Sequence, residues 1–254
     1  METALVGLVV GAIVGLTSMG GGALLTPALV LVVGVPPSLA IGSDMLIASA
    51  IKLVGGGAYA LRREVHWGLV GRLSAGSVPG ALLGIGLINL VPQALLDQAL
   101  GRALGAVLLL AGAATVLRLL RKSTVPADRE PSLRVTVALG FATGLLVAVT
   151  SVGSGSLLMT VLALFFPLRS QTMVGTDLVH AFVLTSTATL GHLASGRVDF
   201  ALAGAVLVGA VPGVILGARL ALALPERRLR FGLAVLLLAI GTYLSVAPAP
   251  EVRS

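Results

Sequence analysis

Eight stretches of the chain, roughly 4 to 33, 38 to 61, 67 to 91, 98 to 117, 133 to 168, 172 to 195, 200 to 223 and 231 to 248, run apolar with few charges. Most reach the about 20 residues that a helix needs to cross a bilayer. Only 11% of all residues are charged, where a soluble domain carries about a quarter, and the mean hydropathy is +1.07. These features define an all-α, polytopic membrane protein. Barrel strands would alternate apolar and polar residues over about ten positions, and the sequence shows no such alternation.

The net charge of +7 does not point to nucleic acid. Basic residues gather at segment ends, as Arg62 and Arg63, as Arg118, Arg121 and Lys122, and as Arg227, Arg228 and Arg230, where membrane-flanking charge belongs. With no cysteine, disulfides, thiolate metal sites and cysteine nucleophiles are excluded. No metal, cofactor or catalytic residue is expected. The opening "METALVGLVVGAIVG" lacks the basic start of a secretion signal and is read as part of the mature chain.

The sequence also repeats itself. At a constant spacing of 133 residues, Gly7, Gly11, Thr17, Ser18, Gly20, Gly22, Leu24 and Leu25 meet Gly140, Gly144, Thr150, Ser151, Gly153, Gly155, Leu157 and Leu158, and "GSD" at 42 to 44 meets "GTD" at 175 to 177. Further along, Gly71 meets Gly204, Gly76 meets Gly209, "VPG" at 78 to 80 meets "VPG" at 211 to 213, and Gly84 meets Gly217, all without a gap. Apolar segments often look alike, but shared glycine, proline, aspartate and Thr-Ser punctuation at one offset identifies a duplication. Repeat 1 is placed at 1–121, a polar connector at 122–131 and repeat 2 at 132–254.

Two threadings follow. If residues 4 to 33 cross once, each half has four crossings and the halves are parallel. If "TSMGGG" breaks that segment into two arms that enter and leave on one side, the halves are inverted. With residues 62 to 66 cytoplasmic, inversion keeps Arg169 and "ERRLR" at 226 to 230 inside, whereas the parallel arrangement puts them outside. The preference of basic loops for the cytoplasm favours inversion, each repeat beginning in a broken or re-entrant helix.

Gly20, Gly21 and Gly22 each disfavour helix by about 1 kcal/mol relative to alanine, and Thr17 and Ser18 can cap or redirect the backbone. The helix is expected to stop there, and again around Thr150, Ser151, Gly153, Ser154 and Gly155. Non-helical backbone survives in a membrane only where it is buried in protein or lines a polar cavity. Interrupted helices at matching places in two repeats are the best sequence pointer to a transporter's binding site. Helices restarting at Gly22 and Gly155 would aim backbone N–H groups at an anion, with the hydroxyls of Thr17, Ser18, Thr150, Ser151 and Ser154 as further donors. The plainer alternative is close helix packing, which is the expectation for scattered glycines such as Gly55, Gly56, Gly57 and Gly84.

Asp44 and Asp177 lie a few residues inside apolar segments at matching places, either as N-terminal caps or as members of the substrate site. Lys52 has no basic counterpart, since Thr185 takes the matching place. It marks an anion pathway or a partner of Asp44, unless it snorkels towards Arg62 and Arg63. His180 follows Asp177 by three residues and so shares its helical face, making Asp177 and His180 the candidate proton-coupling groups; the alternative for His180 is structural. His66, Trp67 and His192 read as interfacial.

The stretches "GLVVGAIVGLTSMGGGALLTPAL" and "AIGSDML", with their echoes "GLLVAVTSVGSGSLLMTVLAL" and "MVGTDLV", resemble the TauE/SafE sulfite exporter family, also called TSUP. The resemblance covers residues about 4 to 246. It implies a multi-pass carrier of sulfite, sulfonates or related organic anions in the inner (cytoplasmic) membrane of bacteria and archaea. Three consecutive glycines in the first repeat face "GSG" in the second, so the halves are expected to offer different ligands.

The leading expectation is a secondary transporter that moves a small anion by alternating access, one repeat rocking against the other. Its partners would be that anion and membrane lipids, with no nucleic acid; a homodimer is left open. No "GxxxxGK[ST]" occurs, so nucleotide hydrolysis by this chain is not expected. An anion channel is the alternative. An intramembrane serine hydrolase, built on Ser154 or Ser156 with His192, is the weaker one, because the matching segment of the first repeat has no such histidine.

Overall fold

The computed structural model describes the chain except residues 1, 18–21, 121–131, 154, 156–157, 160–161, 163–165, 167, 222–225 and 247–254. Among the described residues it is helical, with no strand. The helices are α1 (Glu2–Thr17), α2 (Gly22–Ala28), α3 (Pro37–Leu61), α4 (Trp67–Leu90), α5 (Gln93–Leu120), α6 (Leu133–Thr150), α7 (Ser170–Ala194), α8 (Phe200–Ala221) and α9 (Glu226–Val246). Six of them, α3 to α8, are long and apolar enough to cross a membrane. The apolar stretch at 4 to 33 divides into α1 and α2, and that at 133 to 168 leaves the helix at Ser151.

Local chemistry sets these ends. Past Ala28 the chain widens into a π turn, Leu29–Val33, which Gly34 closes in the left-handed conformation, φ 77°. The Val35 N–H then bonds back to the Leu29 carbonyl at 3.1 Å, the terminal bond that a glycine after a helix makes available. α3 restarts on Pro37, whose missing N–H would be unpaired in a first turn anyway. The Nδ1 of His66 caps α4 by accepting from Leu69 N at 3.0 Å, and the Oδ1 of Asp199 caps α8 by accepting from Leu202 N at 2.9 Å. These two caps are repeat counterparts.

Lipid gives helices little hydrophobic reason to associate, so close approach of small residues has to hold pairs together. α1 packs on α8 and α6 packs on α4. At Gly7 and Gly11 a Cβ would collide with the backbones of Val206 and Ala210, and at the matching Gly140 and Gly144 with those of Leu73 and Ser77. The first helix of each half is therefore laid on a helix of the other half, α1 on α8 and α6 on α4. Residue numbers rise together along both contacts, so the paired helices are parallel. Among the scattered glycines, Gly56 packs on Val179 and Gly84 on Leu145 and Ala148, whereas Gly57 faces open space.

Two further pairings, α3 with α7 and α5 with α9, join repeat counterparts. Gly42 abuts Arg197 and His192, Gly56 abuts Val179, and Gly175 abuts Tyr59, while Ser49 and Ser186 share a 2.8 Å hydroxyl bond. The numbers run in opposite senses, so α3 and α7 are antiparallel. Gly105 against Ser245 and Gly112 against Leu238 give α5 and α9 the same relation. One end of the bundle joins Thr172 to Glu64 at 2.7 Å; the other joins Ser195 to Asn89 at 3.1 Å and Ser38 to Asp97 at 2.9 Å.

Candidate functional site

The interior polar groups collect along the α3–α7 crossing. Asp44, the eighth residue of α3, is fully buried. Thr26 Oγ1 donates to its Oδ2 from α2 at 2.5 Å, and Ser151 Oγ donates to the same oxygen at 2.5 Å. Ser151 reaches it because α6 ends one residue earlier and Ser151 turns left-handed, φ 62°, with its N–H held by the Val147 carbonyl at 2.7 Å. The broken segment of repeat 1 and the helix break of repeat 2 thus meet on one carboxylate. Asp44 does not cap α3; that first turn is bonded by Asp97 through Ser38 N.

Asp177 holds the matching place on α7 and is also buried. Its Oδ1, like Oδ1 of Asp44, has no hydrogen-bond partner among the described residues. Lys52 does not snorkel: only 3% of it is exposed, and its ammonium acts on both the Asp177 and Asp44 carboxylates. His180 is closed off from solvent, its Nε2 paired with Ser77 Oγ of α4 at 2.9 Å and its Nδ1 unpartnered among the described residues.

The repeated Gly-Ser/Thr-Asp motif divides its labour. A Cβ on Gly42 would collide with the Arg197 carbonyl, and one on Gly175 with the matching Glu64 carbonyl. Ser43 Oγ accepts the Asp199 N–H and Thr176 Oγ1 accepts the His66 N–H, both at 2.9 Å. Glycine and hydroxyl therefore dock the loop that precedes α8 or α4 of the opposite half, leaving the aspartate to the interior.

Of the remaining expected site residues, Thr17 ends α1 and Gly22 starts α2. Thr150 is buried and bonds its own Leu146 carbonyl at 2.7 Å. Gly153, at φ 112°, and Gly155 accept from Leu158 N and Met159 N, so the backbone begins to wind again there. Ser18, Gly20, Gly21 and Ser154 lie outside the described residues. One interfacial expectation changes: His192 is fully buried, its Nε2–H donating to the Ala148 carbonyl at 2.8 Å. His66, at the end of the loop before α4, caps that helix, and Trp67 beside it is exposed.

Sequence reasoning missed Thr26 and Ser77. Thr26 is a lone hydroxyl in the apolar α2, and the repeat hid it because its counterpart is Met159; Ser77 shares the apolar α4 with Ser74. A groove lined by Leu133, Val137 and Phe141 on the outer face of α6 shares no residue with this centre.

Membrane-length helices closed over two buried carboxylates, a lysine and a histidine define an integral membrane protein built to handle charge in its interior. The chain belongs to the sulfite exporter TauE/SafE family, which matches residues 3–244, and is a multi-pass membrane transporter. It is 37% identical over 245 residues to the probable membrane transporter protein YjnA of Bacillus subtilis, covering 93% of this chain and 96% of that one. A probable membrane transporter protein of Xylella fastidiosa is 32% identical, with 85% and 82% covered, and the probable membrane transporter protein YunE of B. subtilis is 25% identical, with 94% of each covered. No solved structure matches the chain.

Proposed function

We propose that the protein is a secondary carrier that moves a small anion, such as sulfite, a sulfonate or a related organic anion, across the cytoplasmic membrane by alternating access. The observation that carries this reading is the convergence of Thr26 and Ser151, one from each repeat's interrupted segment, on Asp44, beside the buried cation of Lys52. A buried cation in a dry interior suits an oxyanion, and the two hydroxyls, by bonding Asp44, hold that carboxylate in place. The interrupted stretches, Thr17 to Gly22 and Thr150 to Gly155, would supply further hydroxyl and backbone donors. Asp177 and His180, one turn apart on α7, are the groups there able to exchange protons.

The antiparallel run of α3 against its counterpart α7 supports inverted repeats. So does the pairing of ends, which puts the loop at 62–66 beside Thr172 rather than beside the matching loop at 195–199. Rocking one half against the other would then open the Asp44–Lys52–Asp177 centre to each side in turn.

Counterflow of labelled sulfite, sulfoacetate, methanesulfonate and sulfate in proteoliposomes tests the function. A carrier exchanges at least one of them with saturation; flux that never saturates would mean a channel, and no exchange of any would overturn the anion reading.

A further inference from the structure

The register of α3 and α7 locates Lys52. Ser49 bonds to Ser186, and Ser186 is the repeat counterpart of Leu53. The place where α3 meets its own counterpart therefore falls between 49 and 53, beside Lys52. The two halves share one such place, and it holds a single cation, since the counterpart of Lys52 is Thr185, whose hydroxyl bonds its own helix at Ala181 O, 2.8 Å. Asp44 lies eight residues away on α3, about 12 Å along the axis at 1.5 Å per residue. Asp177, level with position 58 in the same register, lies about 9 Å in the opposite direction. One lysine thus stands between two carboxylates and acts on both.

Among the described residues, the carboxylates are not equally supported. Asp44 has two hydroxyl donors, Thr26 and Ser151. At the place matching Thr26, the second repeat has Met159, which cannot donate; Ser18, which matches Ser151, lies outside the described residues. Among the described groups, Lys52 is the one that opposes the charge of Asp177. The other ionisable groups around Asp177 are engaged elsewhere or turned outward. His180 on α7 is bonded to Ser77, Glu64 ahead of α4 is bonded to Thr172, and Arg72 on α4 is exposed; Tyr59 on α3 lies against Gly175.

We infer that Lys52 is the cation that receives the transported anion and that Asp177 takes up one proton as it does so, while Asp44 keeps its charge. This rests on the carrier reading above. An anion that engages Lys52 withdraws the cation that opposes Asp177 among the described residues, and a second uncompensated negative charge in a dry interior is too costly to retain. A proton from the aqueous side neutralises the carboxylate, so one anion and one proton occupy the carrier together and leave together. Binding and protonation are linked, so the anion binds more tightly as pH falls, by about tenfold per pH unit for one linked proton while Asp177 is ionised in the empty carrier.

The test is anion affinity against pH for the full chain in detergent, alongside counterflow and proton movement in proteoliposomes, using sulfite and methanesulfonate. Asp177→Asn, an uncharged isostere, is expected to bind at every pH as tightly as the wild type does at its acid limit, and to carry the anion without a proton. Comparing variant with wild type cancels the titration of sulfite itself. Asp177→Ser replaces Asp177→Asn if the latter does not assemble. His180→Gln and Asp44→Asn keep the pH slope, and Lys52→Gln loses most of the anion affinity. A wild type that exchanges anions with a flat pH profile overturns the inference and leaves the carrier standing. So does a slope that disappears with His180→Gln or Asp44→Asn and survives Asp177→Asn. A wild type that exchanges no anion of the panel overturns the carrier reading itself.

Discussion

Ser151 donates its hydroxyl to Oδ2 of Asp44 across 107 residues of sequence, joining the break in one repeat to the third helix of the other. Thr26 donates to the same oxygen, so the two hydroxyls act on one charge. Thr26→Val nearly preserves volume, and Ser151→Ala removes one atom. Each is expected to cost about 1.5–3 kcal/mol, the usual worth of a bond to a charged group. Because the two share an acceptor, the double variant is expected to depart from additivity by about 0.5 kcal/mol or more. Unfolding of the purified variants in detergent measures this, and additive losses would show that the hydroxyls do not act on a common carboxylate.

Ser43 and Thr176 are a second matched pair, each accepting the backbone N–H of the last residue of the loop that it docks. Removing either hydroxyl leaves a partly buried N–H without its acceptor. Ser43→Ala and Thr176→Val are each expected to lower stability by about 1 kcal/mol. Asp199 and His66 belong to opposite ends of the bundle, so here the double variant is expected to be additive within about 0.5 kcal/mol. Amide exchange should speed up at Asp199 in the first variant and at His66 in the second; exchange that changes at neither site contradicts the pairing.

Glycine packing makes a contrast within one chain. A Cβ on Gly144 would meet the Ser77 backbone, whereas one on Gly57 meets nothing within 4 Å. Gly144→Val should push α6 away from α4 and lower stability by about 1–3 kcal/mol, as overpacking does. Gly57→Ala should be neutral or stabilising, because alanine is the better helix former by about 1 kcal/mol. Thermal midpoints of the two variants in one detergent compare them directly, and equal losses would count against the close α4–α6 contact.

The helix ends at Thr17 and Thr150 were legible because hydroxyl pairs followed by glycines disfavour helix whatever surrounds them. The burial of Asp44 and Asp177 was only half legible: an aspartate eight residues into a helix suits either a cap or an interior charge, and for Asp44 the decision lay with Asp97, a residue of another helix. Lys52 had an address along α3, but its position beside the α3–α7 crossing needed the antiparallel register, which no single segment encodes. Thr26 was hidden by the repeat itself, since comparing halves highlights what they share and passes over Thr26 against Met159. His192 read as interfacial because it nears the end of its segment, yet the Ala148 carbonyl of α6 gives it a partner inside the bundle.

The chain has no cysteine, so single cysteines can map its threading without a prior Cys-free background. Thr172 bonds to Glu64 at one end of the bundle and Ser195 to Asn89 at the other. Inverted halves place exposed Arg63 and Ser170 on the same face of the membrane, and exposed Gln93 on the opposite one. Parallel halves would separate Arg63 from Ser170. Arg63→Cys and Ser170→Cys are expected to react with a membrane-impermeant maleimide from the cytoplasmic side only, in inside-out vesicles, and Gln93→Cys only in intact cells stripped of their outer layers. Basic Arg62, Arg63 and Arg169 then all lie inside, as the charge bias of membrane loops requires. Labelling of Arg63→Cys and Ser170→Cys from opposite sides would rule out inversion, and with it the geometry in which Lys52 stands between two carboxylates that face opposite surfaces.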